Sequence, residues 1–120
     1  MPTSESFLAY IRDQLSDTPG VSCRPMMGEY LLYVGGKLIG GLYDDRLLLK
    51  PTEAARSLLP GVRTEKPYDG GRDMLLVEET DDRELLTAVV LAAAEALPEP
   101  ARRPRKKKNI SQSNDPENRT

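Results

Sequence analysis

Apolar residues in the first part of the chain recur every three or four positions, which is the spacing of one face of an α-helix. They predict a helix over residues 4–16, in which a hydroxyl of Thr3 or Ser4 caps the first free amide hydrogens. The apolar positions are Phe7, Leu8, Ile11 and Leu15. Pro19-Gly20 then ends the helix.

The same spacing returns in two later segments. A short helix is predicted over residues 53–59, where Pro60-Gly61 stops it. A longer helix is predicted over residues 82–97, because a leucine- and valine-rich periodic run follows Asp81 and Glu84, which stand at capping-box spacing.

Between the first two helices, the pattern changes to short apolar runs that are typical of strands. The first covers residues 21–26, and Pro25 favours an edge position because it cannot donate a backbone hydrogen bond. After a predicted turn at Gly28-Glu29, three runs follow at residues 30–34, 37–43 and 46–50. Gly35-Gly36 and Asp44-Asp45 link them, and such two-residue links suit the primed turns of antiparallel hairpins.

A further strand at residues 74–77 completes the order of elements. The sequence therefore predicts an α+β fold, with an antiparallel sheet of about five strands and N-terminal, short middle and C-terminal helices packed on it. The strands at 30–34 and 46–50 are apolar on both faces, whereas a sheet with one wet face should alternate. Either helices cover both faces or a second copy of the chain covers one. Because three helices are few for covering both faces, we expect a homodimer.

The formal net charge of −2 hides two parts of opposite sign. Residues 1–97 carry 10 basic and 16 acidic side chains, whereas residues 98–120 carry 7 basic and 3 acidic ones. Residues 98–120 also contain only one large aliphatic side chain, Ile110, so burial there cannot offset the cost of ordering. We expect one folded domain over residues 1–97 and a disordered basic tail over residues 98–120.

Composition excludes several kinds of site. The chain has no His and a single Cys, which rules out His-based triads, His-ligated metals and an intramolecular disulfide. We predict no catalytic residue, no metal and no cofactor, and we expect Cys23 to be a small buried apolar residue. No apolar run approaches the roughly 20 residues of a membrane span, so we expect a cytoplasmic protein without membrane contact.

One segment resembles a known family. It reads Arg24-Pro25-Met26-Met27-Gly28-Glu29-Tyr30-Leu31-Leu32-Tyr33-Val34-Gly35-Gly36-Lys37, with Leu47-Leu48-Leu49-Lys50 ten residues further on. This is similar to the TfoX N-terminal-domain family of the TfoX/Sxy-type competence regulators, and the likeness covers about residues 4–97. Glu29 stands where many members carry a second Gly. The resemblance implies an α+β domain without assigned catalysis, linked to regulation of natural competence and transcription.

The resemblance also singles out five residues as a candidate interaction patch for a protein partner. They are Arg24, Met26, Met27, Gly28 and Tyr30. Two flexible thioethers and an amphipathic phenol can form an adaptable contact surface. The alternative is structural: the methionines fill gaps in the core and sheet, Gly28 adopts a conformation that other residues avoid, and Arg24 pairs with a carboxylate.

The basic tail is a candidate nucleic-acid contact, because its cations can bind phosphates and release counterions. The residues are Arg102, Arg103, Arg105, Lys106, Lys107 and Lys108. With no aromatic residue among them, such binding would be weak and independent of sequence. The alternative is that the tail only keeps the protein soluble and folds back on its acidic domain.

Taken together, these features predict a non-enzymatic interaction module with a regulatory role. One alternative is a small-molecule-binding domain or an enzyme that uses carboxylates such as Glu29, Asp69 or Asp73. A deep polar pocket with converging carboxylates would favour that alternative, whereas a flat apolar sheet face would favour the interaction module. A further alternative is a chaperone-like dimer that binds extended peptides along its sheet.

Overall fold

The computed structural model describes residues 2–98, which form three helices and six strands. In chain order these are α1 (Glu5–Gln14), β1 (Val21–Met26), β2 (Glu29–Val34), β3 (Lys37–Tyr43), β4 (Arg46–Leu49), α2 (Glu53–Leu58), β5 (Arg63–Glu65), β6 (Met74–Val77) and α3 (Arg83–Ala96). No helix in this part of the chain is long and apolar enough to cross a bilayer.

All six strands form one antiparallel sheet in the order β1-β2-β3-β4-β6-β5. The predicted α+β class is confirmed, and β1 with Pro25 is an edge strand, as expected. The sequence prediction missed β5, because its three residues, Arg63–Glu65, include no apolar side chain and give no strand pattern.

Three two-residue turns connect the first four strands. Gly35-Gly36 and Asp44-Asp45 all have positive φ angles, which confirms the predicted primed turns. The predicted turn at Gly28-Glu29 is wrong by one residue, since the turn is Met27-Gly28, with φ angles of 52° and 88°, and Glu29 pairs with Met26 as the first residue of β2. Methionine seldom adopts a positive φ angle, so in the sequence only the neighbouring Gly28 indicates a turn.

Side-chain oxygens cap all three helices. Ser4 Oγ accepts a hydrogen bond from Phe7 N at 3.2 Å, Thr52 Oγ1 accepts one from Ala55 N at 3.1 Å, and Asp82 Oδ1 accepts one from Leu85 N at 3.1 Å. The predicted cap at Asp81 is therefore wrong by one position.

The first face of the sheet packs against α1, α2 and α3 and forms the main core. Its strands contribute alternate residues, and the helices close over them with fully buried leucine, isoleucine and valine side chains. From the sheet come Leu32, Val34, Ile39, Leu42, Leu47, Leu49, Leu75 and Val77, and from the helices and the residue after α1 come Ile11, Leu15, Leu86, Val89 and Val90.

The second face carries a smaller cluster formed by Tyr43, Leu48 and Leu76. Leu48 is fully buried although no helix packs with this cluster among the described residues. The connection between β5 and β6, residues 66–73, folds across this side: Arg46 donates hydrogen bonds to the carbonyls of Lys66 and Pro67 at 3.1 and 3.3 Å. We expected either helices or a second copy on this face, but residues 66–73 of the chain itself cover part of it.

Candidate functional site

The side chains of β1, β2 and the start of β3 that point away from the helices form one part of the second face, in which Ser22 and Arg24 are exposed and the apolar side chains are half-buried. We call this surface the open half. It consists of Ser22, Arg24, Met26, Glu29, Leu31, Tyr33 and Leu38. Arg24 is directly opposite Leu31 and Ser22 is directly opposite Tyr33, so their side chains are neighbours across the strand pair.

The structure divides the five residues of the predicted patch. Arg24 and Met26 lie on the open half, and Met27 is 98% exposed at the tip of the adjoining turn. Tyr30 points to the other face and packs against the main core. Gly28 is a turn residue, and a Cβ there would lie 3.2 Å from Pro2 Cβ.

Met27 therefore does not fill a gap in the core, which corrects the structural alternative for that residue. The sequence analysis also missed Tyr33, which takes the place on the open half that it gave to Tyr30. Side chains alternate along β2, so the position of Tyr33 can be assigned once it is known which face of the sheet the helices cover.

Arg24 is held by an aromatic ring. Its guanidinium carbon lies 5.5 Å from the centroid of the Tyr33 ring, within the range of a cation–π interaction. Within residues 2–98, it makes no ion pair with a carboxylate. The structure thus does not provide the carboxylate partner that the structural alternative expected.

Glu29 ties three segments of backbone together through one oxygen. Its Oε1 accepts hydrogen bonds from the backbone N–H of Thr3 at 2.9 Å and from Thr3 Oγ1 at 2.7 Å. It also accepts one from the N–H of Asp44 at 3.1 Å. The carboxylate therefore joins the segment before α1 to the β3–β4 turn, and a glycine at this position could not do so.

The other carboxylates proposed for an enzymatic role do not form a site with Glu29. Asp73 pairs with Lys66 at 2.9 Å, and Asp69 is exposed in the loop between β5 and β6. Among residues 2–98, no group of Cys, Asp and Glu side chains is arranged to hold a metal ion.

A groove of about 660 Å³ opens between the second face and the connection at residues 66–73. Its walls combine tyrosine, proline and other apolar side chains with two cations. It is lined by Tyr43, Lys50, Pro51, Thr52, Pro67, Tyr68, Gly70, Gly71, Arg72, Asp73, Met74 and Leu97. A second cavity of about 280 Å³ shares Lys50 and Leu97 with it and extends to Tyr33 and Leu38 of the open half.

Tyr43 forms the floor of this groove. It is 6% exposed, and its ring meets the ring of Tyr68 edge-on at a centroid distance of 6.3 Å. Burial raises the pKa of the Tyr43 phenol, and the nearby Tyr68, Glu29 and Tyr33 raise it further. The hydroxyl therefore keeps its proton over a wide pH range and is able to donate a hydrogen bond.

Cys23 lies on the first face, where it packs against the main core and is half-buried. Burial raises the pKa of its thiol, and the positive charge of Arg12 lowers it by a smaller amount. This environment disfavours the thiolate, although Cys23 is half-buried and not buried as predicted.

The candidate nucleic-acid contacts lie outside the described residues, as does nearly all of the predicted tail at residues 98–120. The described part ends at Pro98, which lines the smaller cavity beside Leu97.

One curated protein of similar sequence covers almost the whole chain. This chain is 36% identical over 109 residues to an uncharacterized 12.7 kDa protein in the trpE 5′ region of Spirochaeta aurantia. The alignment spans 90% of this chain and 93% of that protein. No family model matches the chain, and no solved structure matches it.

Proposed function

The chain belongs to the same family as the Spirochaeta aurantia protein, and we propose that it is a non-enzymatic interaction module that works as a homodimer joined through the open half. The resemblance to the TfoX N-terminal domain supports a regulatory role, in transcription or competence, and a cytoplasmic location. The basic tail adds weak, non-specific affinity for nucleic acid.

The observation that carries the proposal is the composition of the open half. Arginine, tyrosine and methionine are enriched in protein interfaces, and arginine and tyrosine are frequent hot-spot residues. Arg24, Tyr33 and Met26 surround Leu31 on this surface, where Arg24 is exposed and the other three side chains are half-buried. The exposed Met27 extends this apolar surface at one end.

Charge complementarity favours a second copy of the chain as the partner. Arg24 has no carboxylate partner within residues 2–98, and Glu29 uses only its Oε1 for the hydrogen bonds that tie the backbone. Both side chains belong to the same face, two positions apart along β1 and β2. A two-fold axis in the interface would set Arg24 of each protomer against Glu29 of its partner, so the surface is self-complementary.

The exposed edge of β1 is a poorer route to association. Its outward-facing backbone groups belong to Val21, Cys23 and Pro25, and Pro25 has no N–H to donate. Proline on an edge strand opposes pairing with another strand. The face of the sheet is therefore the surface that we assign to the dimer.

Sedimentation velocity tests the proposal with a matched pair of charge reversals. In the proposed dimer, Arg24→Glu places a glutamate against Glu29 of the partner at both symmetry-related contacts. The control, Arg56→Glu, changes an exposed arginine of α2 that has no ion-pair partner within residues 2–98. We expect a dimer at roughly 50 µM for the native chain and for Arg56→Glu, and a dimer dissociation constant at least ~10-fold higher for Arg24→Glu. A monomeric native chain, or equal association of both variants, would refute it.

A further inference from the structure

We propose that the groove between the second face and residues 66–73 binds a small aromatic molecule that carries a carboxylate. This goes beyond the dimer, since the groove lies on the side of the face that the chain covers with its own loop. Three features of the groove carry the inference: a buried phenol, two cations that form no ion pair within residues 2–98, and largely apolar walls.

The buried phenol is that of Tyr43. The residue is 6% exposed, yet its hydroxyl makes no hydrogen bond to any part of the chain that the structure describes. Buried tyrosine hydroxyls almost always have a partner, because leaving the donor unsatisfied costs free energy. A ligand oxygen in the groove would accept this hydrogen bond.

Two cations, Lys50 and Arg72, line the same groove. Lys50 is half-buried and Arg72 is exposed, and neither makes a side-chain hydrogen bond or ion pair within residues 2–98. Asp73 also lines the groove, but its carboxylate is engaged by Lys66. On a folded part that is acidic overall, an uncompensated positive pair indicates an anionic ligand.

The side chains that line the groove favour a ligand with a planar apolar ring. Pro51 and Pro67 present rings, Tyr68 is 60% exposed, and Met74 and Leu97 complete the apolar lining. A volume of about 660 Å³ lies within the range of small-molecule sites. Aromatic and proline rings pack well against a planar molecule with one or two rings.

The donor set fits a carboxylate better than a phosphate. A carboxylate offers two oxygens, and the groove offers one phenol hydroxyl and two cationic groups. Phosphate sites usually add several backbone N–H groups, but the N–H of Gly71 is already bound to the carbonyl of Tyr68 at 2.9 Å. Inorganic phosphate alone is therefore a contrasting probe.

Titrations followed by two-dimensional 1H–15N NMR test the inference on the full chain. The probes are benzoate, 4-hydroxybenzoate and indole-3-acetate, with benzamide as the uncharged match of benzoate and inorganic phosphate as the anion without a ring. We expect at least one carboxylate to give saturable shifts at Lys50 and residues 70–73, with a Kd of about 1 mM or tighter. Benzamide and phosphate should bind at least ~10-fold more weakly.

Three variants assign the binding to the groove. Lys50→Met should weaken it at least ~10-fold, and Tyr43→Phe should weaken it several-fold without lowering the melting temperature of the ligand-free protein. Arg56→Met, which removes an arginine that is not in the groove, should leave the affinity unchanged. The inference is overturned if no carboxylate gives saturable shifts, if benzamide or phosphate binds as tightly, or if Lys50→Met binds like the native chain.

Discussion

The ring of Tyr43 lies over Gly41, its neighbour two residues earlier on the same face of β3. A Cβ at Gly41 would lie 2.7 Å from Tyr43 Cε2, so no other residue leaves room for the ring in this position. Tyr43, Leu48 and Leu76 then form the second cluster. This relationship explains how β4 can be apolar on both faces without a helix on each side.

The preceding glycine is required for a different reason. A Cβ at Gly40 would lie 2.1 Å from the carbonyl oxygen of Leu48, which belongs to the paired strand β4 and cannot move away freely. We expect Gly40→Ala to lower the free energy of unfolding by about 3 kcal/mol. Urea denaturation followed by circular dichroism measures this.

The control is Gly61→Ala. A Cβ at Gly61 has nothing within 4 Å, so only its positive φ of 73° opposes the substitution, at a cost of about 1 kcal/mol. Equal losses of stability for the two variants would show that close strand packing at Gly40 is not the limiting factor.

Much of the fold follows from local patterns. The three helices, the strands other than β5 and the primed turns are encoded by apolar periodicity and by Gly or Asp at the links. β5 could not be found in this way, because Arg63–Glu65 is held by pairing with β6 and not by a pattern of its own.

The site was harder to predict, because it depends on which side chains share a face. The motif Arg24 to Tyr30 is contiguous in sequence, but neighbouring residues of a strand point to opposite faces. Tyr30 therefore packs with the core, while Tyr33, three residues later, stands beside Arg24. The groove depends on the path of residues 66–73. The turn residues in this segment predict a loop but not the path that it takes over the sheet.

The tie between Thr3 and Glu29 gives a prediction about stability. Thr3 is buried; its Oγ1 donates to Glu29 and accepts a hydrogen bond from the N–H of Asp45 at 3.3 Å. Thr3→Val keeps the shape but removes both bonds, so we expect a loss of roughly 1–3 kcal/mol in unfolding free energy. Thr64→Val, on the exposed strand β5, should change it by less than about 0.5 kcal/mol. Equal stability of Thr3→Val and the native protein would contradict the role given to this tie.

Cys23 gives a prediction about reactivity and pH. Because burial raises its thiol pKa, we expect reaction with a disulfide reagent at pH 7.5 to be much slower in the native protein than in 8 M urea. Ionisation of the thiol should also lower the free energy of unfolding. The protonated thiol contributes fully to stability below the pKa of the unfolded chain, and this contribution is lost as the pH rises through the pKa of the folded protein. Cys23→Ala should lack this alkaline component in urea denaturation, and a fast native reaction would contradict the assignment.

The tail gives a prediction that rests on the sequence alone. Six cations occur in the seven residues 102–108, so the full chain should bind duplex DNA weakly and with a steep dependence on salt. Deletion of residues 99–120 should abolish this signal in fluorescence anisotropy, while circular dichroism remains that of a folded domain. No binding by the full chain at low salt would refute the nucleic-acid role.

An isotope-filtered NOE experiment tests the central claim most directly, since it locates the contact between two copies of the chain. In an equimolar mixture of 13C-labelled and unlabelled protein, only contacts between protomers give signals. The proposal predicts intermolecular NOEs from the methyl groups of Met26 and Leu31 and the ring of Tyr33, which all belong to the open half. Intermolecular NOEs that arise instead from α1, α2 or α3, or none at all at millimolar concentration, would contradict it.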